Sequence, residues 1–160
     1  MDKNQLTKEK ICTFFVSDYH FEMITLPYIE KNLNQNKDIM ILTEKNLTET
    51  MQTLLNKMNF KKDKKTKFLN IDWKNDDLDK FKKIKENVEN NRDMIIFIKG
   101  KENYISNINK NIEKWVKDIK NVKVIDCYEM EEIGENIDEV MSHYNKILRT
   151  SGEKEIEKLF

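Results

Sequence analysis

Five short apolar runs recur along the chain at regular intervals, and they constrain the fold more than any other feature of the sequence. Each is five or six residues long and bounded by polar residues, and most are rich in β-branched or aromatic side chains, which is typical of β-strands. The second and fourth runs are apolar almost throughout, as are strands that are covered on both faces of a parallel sheet. The predicted strands are residues 11–16, 38–42, 67–71, 93–98 and 122–127.

Segments with apolar residues three and four positions apart separate these runs, and this spacing predicts helices. The predicted helices are residues 21–33, 47–58, 78–88, 105–119 and 137–148, followed by a short tail helix over residues 153–160. Thr48 and Glu49 are expected to begin the second helix, and Asp76 or Asp77 to cap the third. Pro27 lies inside the first helix and removes one backbone hydrogen bond, so a kink is expected there.

The strict alternation of strand and helix predicts an α/β fold: a three-layer α/β/α, doubly wound domain with a mainly parallel five-stranded sheet and right-handed crossovers. The chain has 160 residues, a length that suits one domain with its own core. We expect residues 1–150 to form the α/β domain and residues 151–160 to form the tail helix.

The composition excludes several classes of protein. Twenty-nine Lys and Arg balance 29 Asp and Glu, so no broad charge favours nucleic acid or an anionic membrane. The three glycines, Gly100, Gly134 and Gly152, are too far apart for a Walker A loop or a dinucleotide-binding fingerprint. No run approaches the ~18 apolar residues of a membrane span, and the polar N-terminal segment is unlike a signal peptide. We therefore expect a cytoplasmic protein with reduced cysteines.

The turn after the first strand lacks the glycines that close backbone amides round a phosphate. It carries Asp18, Tyr19, His20 and Glu22, and the acidic side chains would repel a phosphate group. The turn therefore stands where a P-loop NTPase carries its Walker A glycines, but without those glycines. We expect no ATP hydrolysis, no other catalysis and no cofactor.

Ligands of such sheets bind beyond the carboxyl ends of the strands, and that rule selects the candidate site residues. His20 suits a general base or a capping residue, Cys127 a reactive or an inert buried thiol, and Asp72 a magnesium ligand or a helix cap. The complete set of candidate ligand-binding residues is Asp18, Tyr19, His20, Glu44, Asp72, Trp73, Lys99, Cys127 and Tyr128.

Metal, disulfide and nucleic-acid sites have weaker support in the sequence. Two Cys and two His without ligand spacing predict no metal site. A disulfide between Cys12 and Cys127 is not expected, because one lies at the start of its strand and the other at the end. Residues 61–67 are Lys-rich, which suits either a nucleic-acid contact or a solvated loop, and no aromatic residues alternate with the lysines as a single-strand binder would need.

Three segments carry a resemblance to a known family. Ile11-Cys12-Thr13-Phe14-Phe15, Leu26-Pro27-Tyr28-Ile29 through Leu33, and Asp38 to Leu42 resemble the opening of the MEDS domain, the sensory domain of methanogen and methylotroph regulators. Val124 to Glu129 and the helix that contains Val140 to His143 resemble its closing strand and helix. The chain departs from the family at Lys10, where the family commonly has His, and at Asn32, where it usually has Gly.

The resemblance implies a RecA- and KaiC-like fold without a phosphate loop, acting as a sensory or regulatory module in signal transduction or transcription control. Such a module would bind a small ligand or a protein partner at the strand ends. The partner would be a histidine kinase, a transcription regulator, a sigma or anti-sigma component, or a second copy. The alternatives are a pure protein-interaction adaptor and a degenerate nucleotide or nucleic-acid binder. Ile156, Leu159 and Phe160 are candidate partner contacts that could instead dock on the domain's own sheet.

Overall fold

Four of the five apolar runs form strands of a six-stranded sheet in the computed structural model, which describes residues 9–116 and 119–159. The strands are β1 (Ile11–Phe15), β2 (Asp38–Thr43), β3 (Met94–Gly100), β4 (Val122–Glu129), β5 (Lys146–Arg149) and β6 (Gly152–Glu155). Their order across the sheet is β2-β3-β4-β1-β5-β6, and every neighbouring pair is parallel except the β5–β6 hairpin.

The helices follow the predicted spacing for most of the chain. They are α1 (Asp18–Leu33), α2 (Thr48–Lys57), α3 (Lys62–Leu69), α4 (Asp77–Glu89), α5 (Glu102–Val116), α6 (Met130–Ile133) and α7 (Ile137–Met141). Two 3₁₀ turns cover Gly134–Asn136 and Ile156–Leu159. Asp76 occupies the N-cap position of α4 as expected, and α1 continues through Pro27.

The sheet separates two apolar cores, which confirms the three-layer α/β/α prediction. The first core lies between the sheet and α1, α2 and α3, and it contains Phe21, Leu54 and Phe68. The second core lies on the opposite face against α4, α5, α6 and α7, and it contains Ile84 and Ile112. Central strands supply side chains to both cores, as strands of a parallel sheet with two covered faces do.

The prediction of a strand over residues 67–71 is wrong, because residues 62–69 form α3. Phe68 is buried in the first core, whereas Leu69 is 42% exposed. Lys64 lies on the preceding turn, 2.8 Å from Glu30 and over the ring of Phe60. The Lys-rich segment is therefore largely helical instead of a loop. A five-residue apolar run is too short for its periodicity to distinguish a strand from a helix.

The predictions for the C-terminal part need two corrections. The helix expected over residues 137–148 ends at Met141, and Ile147 and Leu148 lie in β5, where they face opposite cores. Residues 152–155 form β6, where a tail helix was expected, because Gly152 adopts a φ of 107° and turns the chain back along β5. The sheet therefore has six strands, not five, and residues beyond 150 belong to it.

The structure also places three residues that were discussed from the sequence, Asn32, Cys12 and Cys127. Asn32 lies inside α1, with its side-chain amide bonded to the Tyr28 carbonyl, and the left-handed backbone after the helix is instead at Asn36. Cys12 and Cys127 are both free and buried. They project into opposite cores on either side of the sheet.

Candidate functional site

The carboxyl edge of the sheet has two positions where neighbouring strands send their connections to opposite faces. β1 leads into α1 beside the first core, whereas its neighbour β4 leads into α6 beside the second core. β2 and β3 diverge in the same way, towards α2 and α5. Crevices for ligands form at such switch points, so this edge is where a site is expected.

An ion pair links the end of β3 to the start of α1 at this edge. The Lys99 ammonium group, at the end of β3, lies 2.8 Å from Oδ1 of Asp18, the first residue of α1. Lys99 is buried and lies over the rings of Phe15 and Phe21, 4.6 and 5.3 Å from their centroids. Exposed Lys45, after β2, lies 3.5 Å from Oδ2 of Asp18. Burial alone would raise the pKa of Asp18, but the hydrogen bond and charge of Lys99 hold it below its ordinary value.

A buried carboxyl lies next to this pair. Glu22 is one helical turn beyond Asp18, has no exposed surface, and neither of its oxygens has a hydrogen-bond partner among the described residues. Burial and, next, the charge of Asp18 raise the pKa of Glu22 to about 7, while the charge of Lys99 opposes the shift. Glu22 therefore exchanges a proton near neutral pH.

The crevice between β2 and β3 is filled by side chains. A Cβ added at Gly100 would lie 2.5 Å from Oε1 of Glu44 and 2.7 Å from Cδ2 of Tyr104. Glu44 accepts a hydrogen bond from the Lys101 backbone, and the Tyr104 hydroxyl donates to Asp77. Gly100 is thus required for the close packing of Glu44 and Tyr104 at this edge.

The other predicted residues of the first turn face outward or back onto the turn. The Tyr19 side chain is 50% exposed. Nδ1 of His20 accepts a hydrogen bond from the Val16 backbone at 3.0 Å, and the His20 backbone donates to Ser17 at the start of α1. His20 therefore acts as a capping residue at the start of α1.

Asp72 and Trp73 do not follow a strand, since their segment connects α3 to α4. Trp73 is buried in the first core, and its indole donates to the Phe68 carbonyl at 2.8 Å. Asp72 accepts a hydrogen bond from the Lys74 backbone and lies 4.0 Å from the Lys80 ammonium group. Both residues therefore stabilise the connection between α3 and α4.

Cys127 and Tyr128 end β4 on opposite faces of the sheet. Cys127 lies in the first core, and burial raises the pKa of its thiol well above the ordinary value, so the thiol is inert at neutral pH. Tyr128 lies in the second core, stacked on Phe14. Because the sheet lies between Tyr128 and Trp73, these aromatic side chains cannot line one pocket with Tyr19.

Among the predicted partner contacts, Ile156 is buried in the second core. It therefore docks on the domain itself, as the alternative interpretation expected. The side chain of Leu159 and all of Phe160 lie outside the described residues.

Sequence reasoning missed a polar network in the second core. Asp126 accepts hydrogen bonds from the Tyr144 hydroxyl at 2.5 Å and the Asn109 amide at 3.1 Å, and the Tyr128 hydroxyl lies 2.5 Å from that of Tyr144. Burial raises the pKa of Asp126 to about 6, although the two hydrogen bonds oppose the shift. The sequence carried one signal for this network: Asp126 is the only acidic residue in the run Val122–Cys127.

A second missed group is Lys80, which is buried at the open side of edge strand β2. Its ammonium group donates to the carbonyls of Ile41, at 2.6 Å, and of Lys74. Asp76 lies 3.7 Å away. Burial lowers the pKa of Lys80, while the charges of Asp72, Asp76 and Asp77 oppose that shift. Asp76 and Lys80 are four residues apart, a spacing that is typical of exposed ion pairs on helices, so nothing in the sequence indicated that Lys80 is buried.

A cavity of about 650 Å³ lies at the amino edge of the sheet, away from the predicted site. Met141, Tyr144 and Ile156 form its apolar part, and its charged lining includes Asp138 and Lys146. In the part of the chain that the structure describes, no group of three or more Cys, His, Asp or Glu is placed to hold a metal ion.

Comparisons with family models, curated proteins and solved structures found no match to this chain. Across residues 9–116 and 119–159, no helix has both the length and the apolar character needed to span a membrane. The class of protein that is established is thus an α/β domain with a mostly parallel six-stranded sheet.

Proposed function

We propose that this chain is a non-catalytic, cytoplasmic regulatory module that acts by protein contact, and that it binds a second copy of itself through the carboxyl edge of the sheet. One observation carries the proposal: exposed apolar side chains surround the exit of β1, where the crevice itself is filled. We call these four residues the edge patch: Val16, Tyr19, Met23 and Met130, which are 63%, 50%, 38% and 40% exposed.

The positions of these residues follow from the fold. Val16 and Met130 come directly after β1 and β4, which pair in register at Phe15 and Glu129. Tyr19 and Met23 are one turn apart on the outer face of α1. Tyr and Met are enriched in protein interfaces, and apolar groups exposed together are typical of interaction sites.

The charges beside the edge patch support a second copy as the occupant. Lys45 and Lys101 follow β2 and β3, whereas Glu131 and Glu132 follow Met130, and all four are exposed. A two-fold interface must be self-complementary, and flanks of opposite sign let the basic side of one copy face the acidic side of the other. The zero net charge of the chain also removes long-range repulsion between copies.

A sensory role of the MEDS kind is the wider proposal. It is supported by the resemblance of the opening and closing segments and by a first turn that holds an Asp–Lys ion pair where a phosphate cradle would require glycines. A RecA-like origin of the fold belongs to the same proposal. A histidine kinase, a transcription regulator or a sigma component would be the occupant if the edge patch binds no second copy.

The change Tyr19→Glu is expected to weaken self-association by at least about tenfold, because it places a carboxylate at the centre of an apolar contact. Sedimentation velocity over a concentration series measures the dissociation constant. Leu78→Glu is the matched control, since Leu78 is 78% exposed on α4 and outside the edge patch. A wild-type chain that stays monomeric at high concentration, or equal effects of the two variants, would contradict the proposal.

We also expect the purified protein to release no phosphate from magnesium-ATP above the rate without protein. The amide cradle is missing after β1, and the acidic residues there oppose a triphosphate. A coupled phosphate-release assay measures the rate. Turnover that disappears in Lys99→Met would show that the edge is catalytic and would overturn the proposal.

A further inference from the structure

The buried carboxyl of Glu22 is the feature of the edge that neither the packing nor the proposed contact explains. A carboxyl group with no exposed surface and no hydrogen-bond partner among the described residues is costly unless it is protonated. Glu22 lies on α1, one helical turn after Asp18, whose ion pair with Lys99 anchors the β1–α1 turn.

The charged neighbours of Glu22 come from two elements. On α1 it faces Asp18, and from β3 it faces the Lys99 ammonium group, while Lys45 reaches the cluster through Asp18. Cys127 of β4 lies on the same side of the sheet and stays neutral. Lys99 is thus the one buried cation that both carboxyl groups can use within the described part of this cluster.

We propose that Glu22 is a regulatory proton site: its protonated form keeps Lys99 bound to Asp18 and the β1–α1 turn in place, and loss of the proton releases that turn. This inference rests on the proposed function, because the turn carries Val16 and Tyr19 of the edge patch.

The exchange of partners follows from the charges that reach Glu22 and Asp18. The Lys99 ammonium group donates to Asp18, its one hydrogen-bond partner among the described residues, and it lies over the rings of Phe15 and Phe21. Within the described part of the cluster, an ionised Glu22 has no other buried cation to pair with, so it takes Lys99. Asp18 is partly exposed and retains Lys45 at 3.5 Å, so it turns outward to that partner. Asp18 directly follows the N-cap residue Ser17, so this shift moves the turn.

Burial raises the pKa of Glu22 to about 7, so both forms are populated at neutral pH. Because each copy in a two-fold dimer contributes one linked proton, the dissociation constant of the self-associated form changes by at most about a hundredfold per pH unit above that pKa. Self-association should therefore be strongest below neutral pH and should weaken as the pH rises.

The test measures the dissociation constant by sedimentation velocity at several values between about pH 6 and about pH 8.5, the interval in which the linked proton is lost. We expect an increase of at least about tenfold in the wild type. Glu22→Gln mimics the protonated carboxyl and should keep the low-pH constant throughout. Glu49→Gln, at an exposed site on α2, should behave as wild type. His20→Asn and Asp126→Asn should also retain the wild-type pH profile, which assigns the proton to Glu22.

A second measurement separates this inference from the proposed function. Backbone amide NMR shifts of residues 16–19 are recorded at low concentration in a His20→Asn background, because the His20 imidazole accepts a hydrogen bond from the Val16 amide. They should titrate near pH 7 when Glu22 is present and not in Glu22→Gln. Unchanged shifts, or the same pH profile in both proteins, would overturn the proton site and leave the contact intact. A wild-type chain that is monomeric at every pH would overturn the proposed contact and its regulation, whatever the shifts do.

Discussion

Replacing Lys80 by methionine is expected to lower the free energy of unfolding by about 3–5 kcal/mol. Lys80 is 1% exposed, and its ammonium group binds the carbonyls of Ile41 and Lys74. β2 is an edge strand, so the Ile41 bond also covers part of an otherwise open edge. Methionine keeps the length of the side chain but leaves the buried carbonyls without a donor and the nearby carboxylates without their cation.

Urea unfolding followed by circular dichroism measures this loss, which corresponds to a midpoint about 2 M lower at an ordinary denaturant slope. Lys83→Met is the matched control, because Lys83 is exposed on the same helix and should change stability by less than about 0.5 kcal/mol. A loss below about 1 kcal/mol for Lys80→Met would mean that the buried ion cluster costs as much in desolvation as it returns.

The second large effect is a decrease of stability as the pH rises. Burial raises the pKa of Glu22 from 4.5 to about 7 and that of Asp126 from 3.8 to about 6. A carboxyl with a raised pKa in the folded state contributes its full stability below the ordinary value and loses it as the pH rises through the folded value. Each group contributes roughly 1.4 kcal/mol for every pH unit between its ordinary and its folded pKa. We therefore expect the free energy of unfolding to fall by several kcal/mol between about pH 4.5 and about pH 7.5.

Neutral variants test the assignment. Glu22→Gln should flatten the upper part of the pH profile, and Asp126→Asn the lower part, so each should be more stable than the wild type near pH 8. Asp18 and Glu153 have lowered pKa values, so their contribution is lost in the opposite direction, as the pH falls towards and below their ordinary values. A wild-type slope retained in both variants would show that neither carboxyl is buried as described.

The missed elements share a physical cause. The strand predicted over residues 67–71 depended on a short apolar run, and the helix predicted over residues 137–148 depended on apolar spacing. Four or five residues fit a strand or one face of a helix equally well. Residues 62–69 form a helix because only one face of this segment, which carries Phe68, meets the first core. Ile147 and Leu148 lie in a strand because their side chains reach opposite cores. Local spacing carries no information about which core a side chain will meet.

The candidate site divides in the same way. The sequence indicated the carboxyl edge and named Asp18, Lys99 and Glu44, because the ends of parallel strands are recognisable from their runs. It also grouped Trp73 and Tyr128 with them, although the sheet lies between those two side chains. It did not single out Glu22 or Lys80, since a Glu or a Lys on an amphipathic helix is ordinarily exposed.

By itself, the sequence determined the α/β class, the absence of a glycine phosphate loop, and the edge at which a site would lie. These properties depend on periodicity and on residues close together in the chain. Only the tertiary structure decided the buried charge pairings: Asp18 with Lys99 across 81 positions, at the candidate site, and Lys80 with the Ile41 carbonyl across 39, at the edge strand. The strand order and the burial of each face bring such residues together, and a buried charge then takes the nearest partner that replaces its lost water.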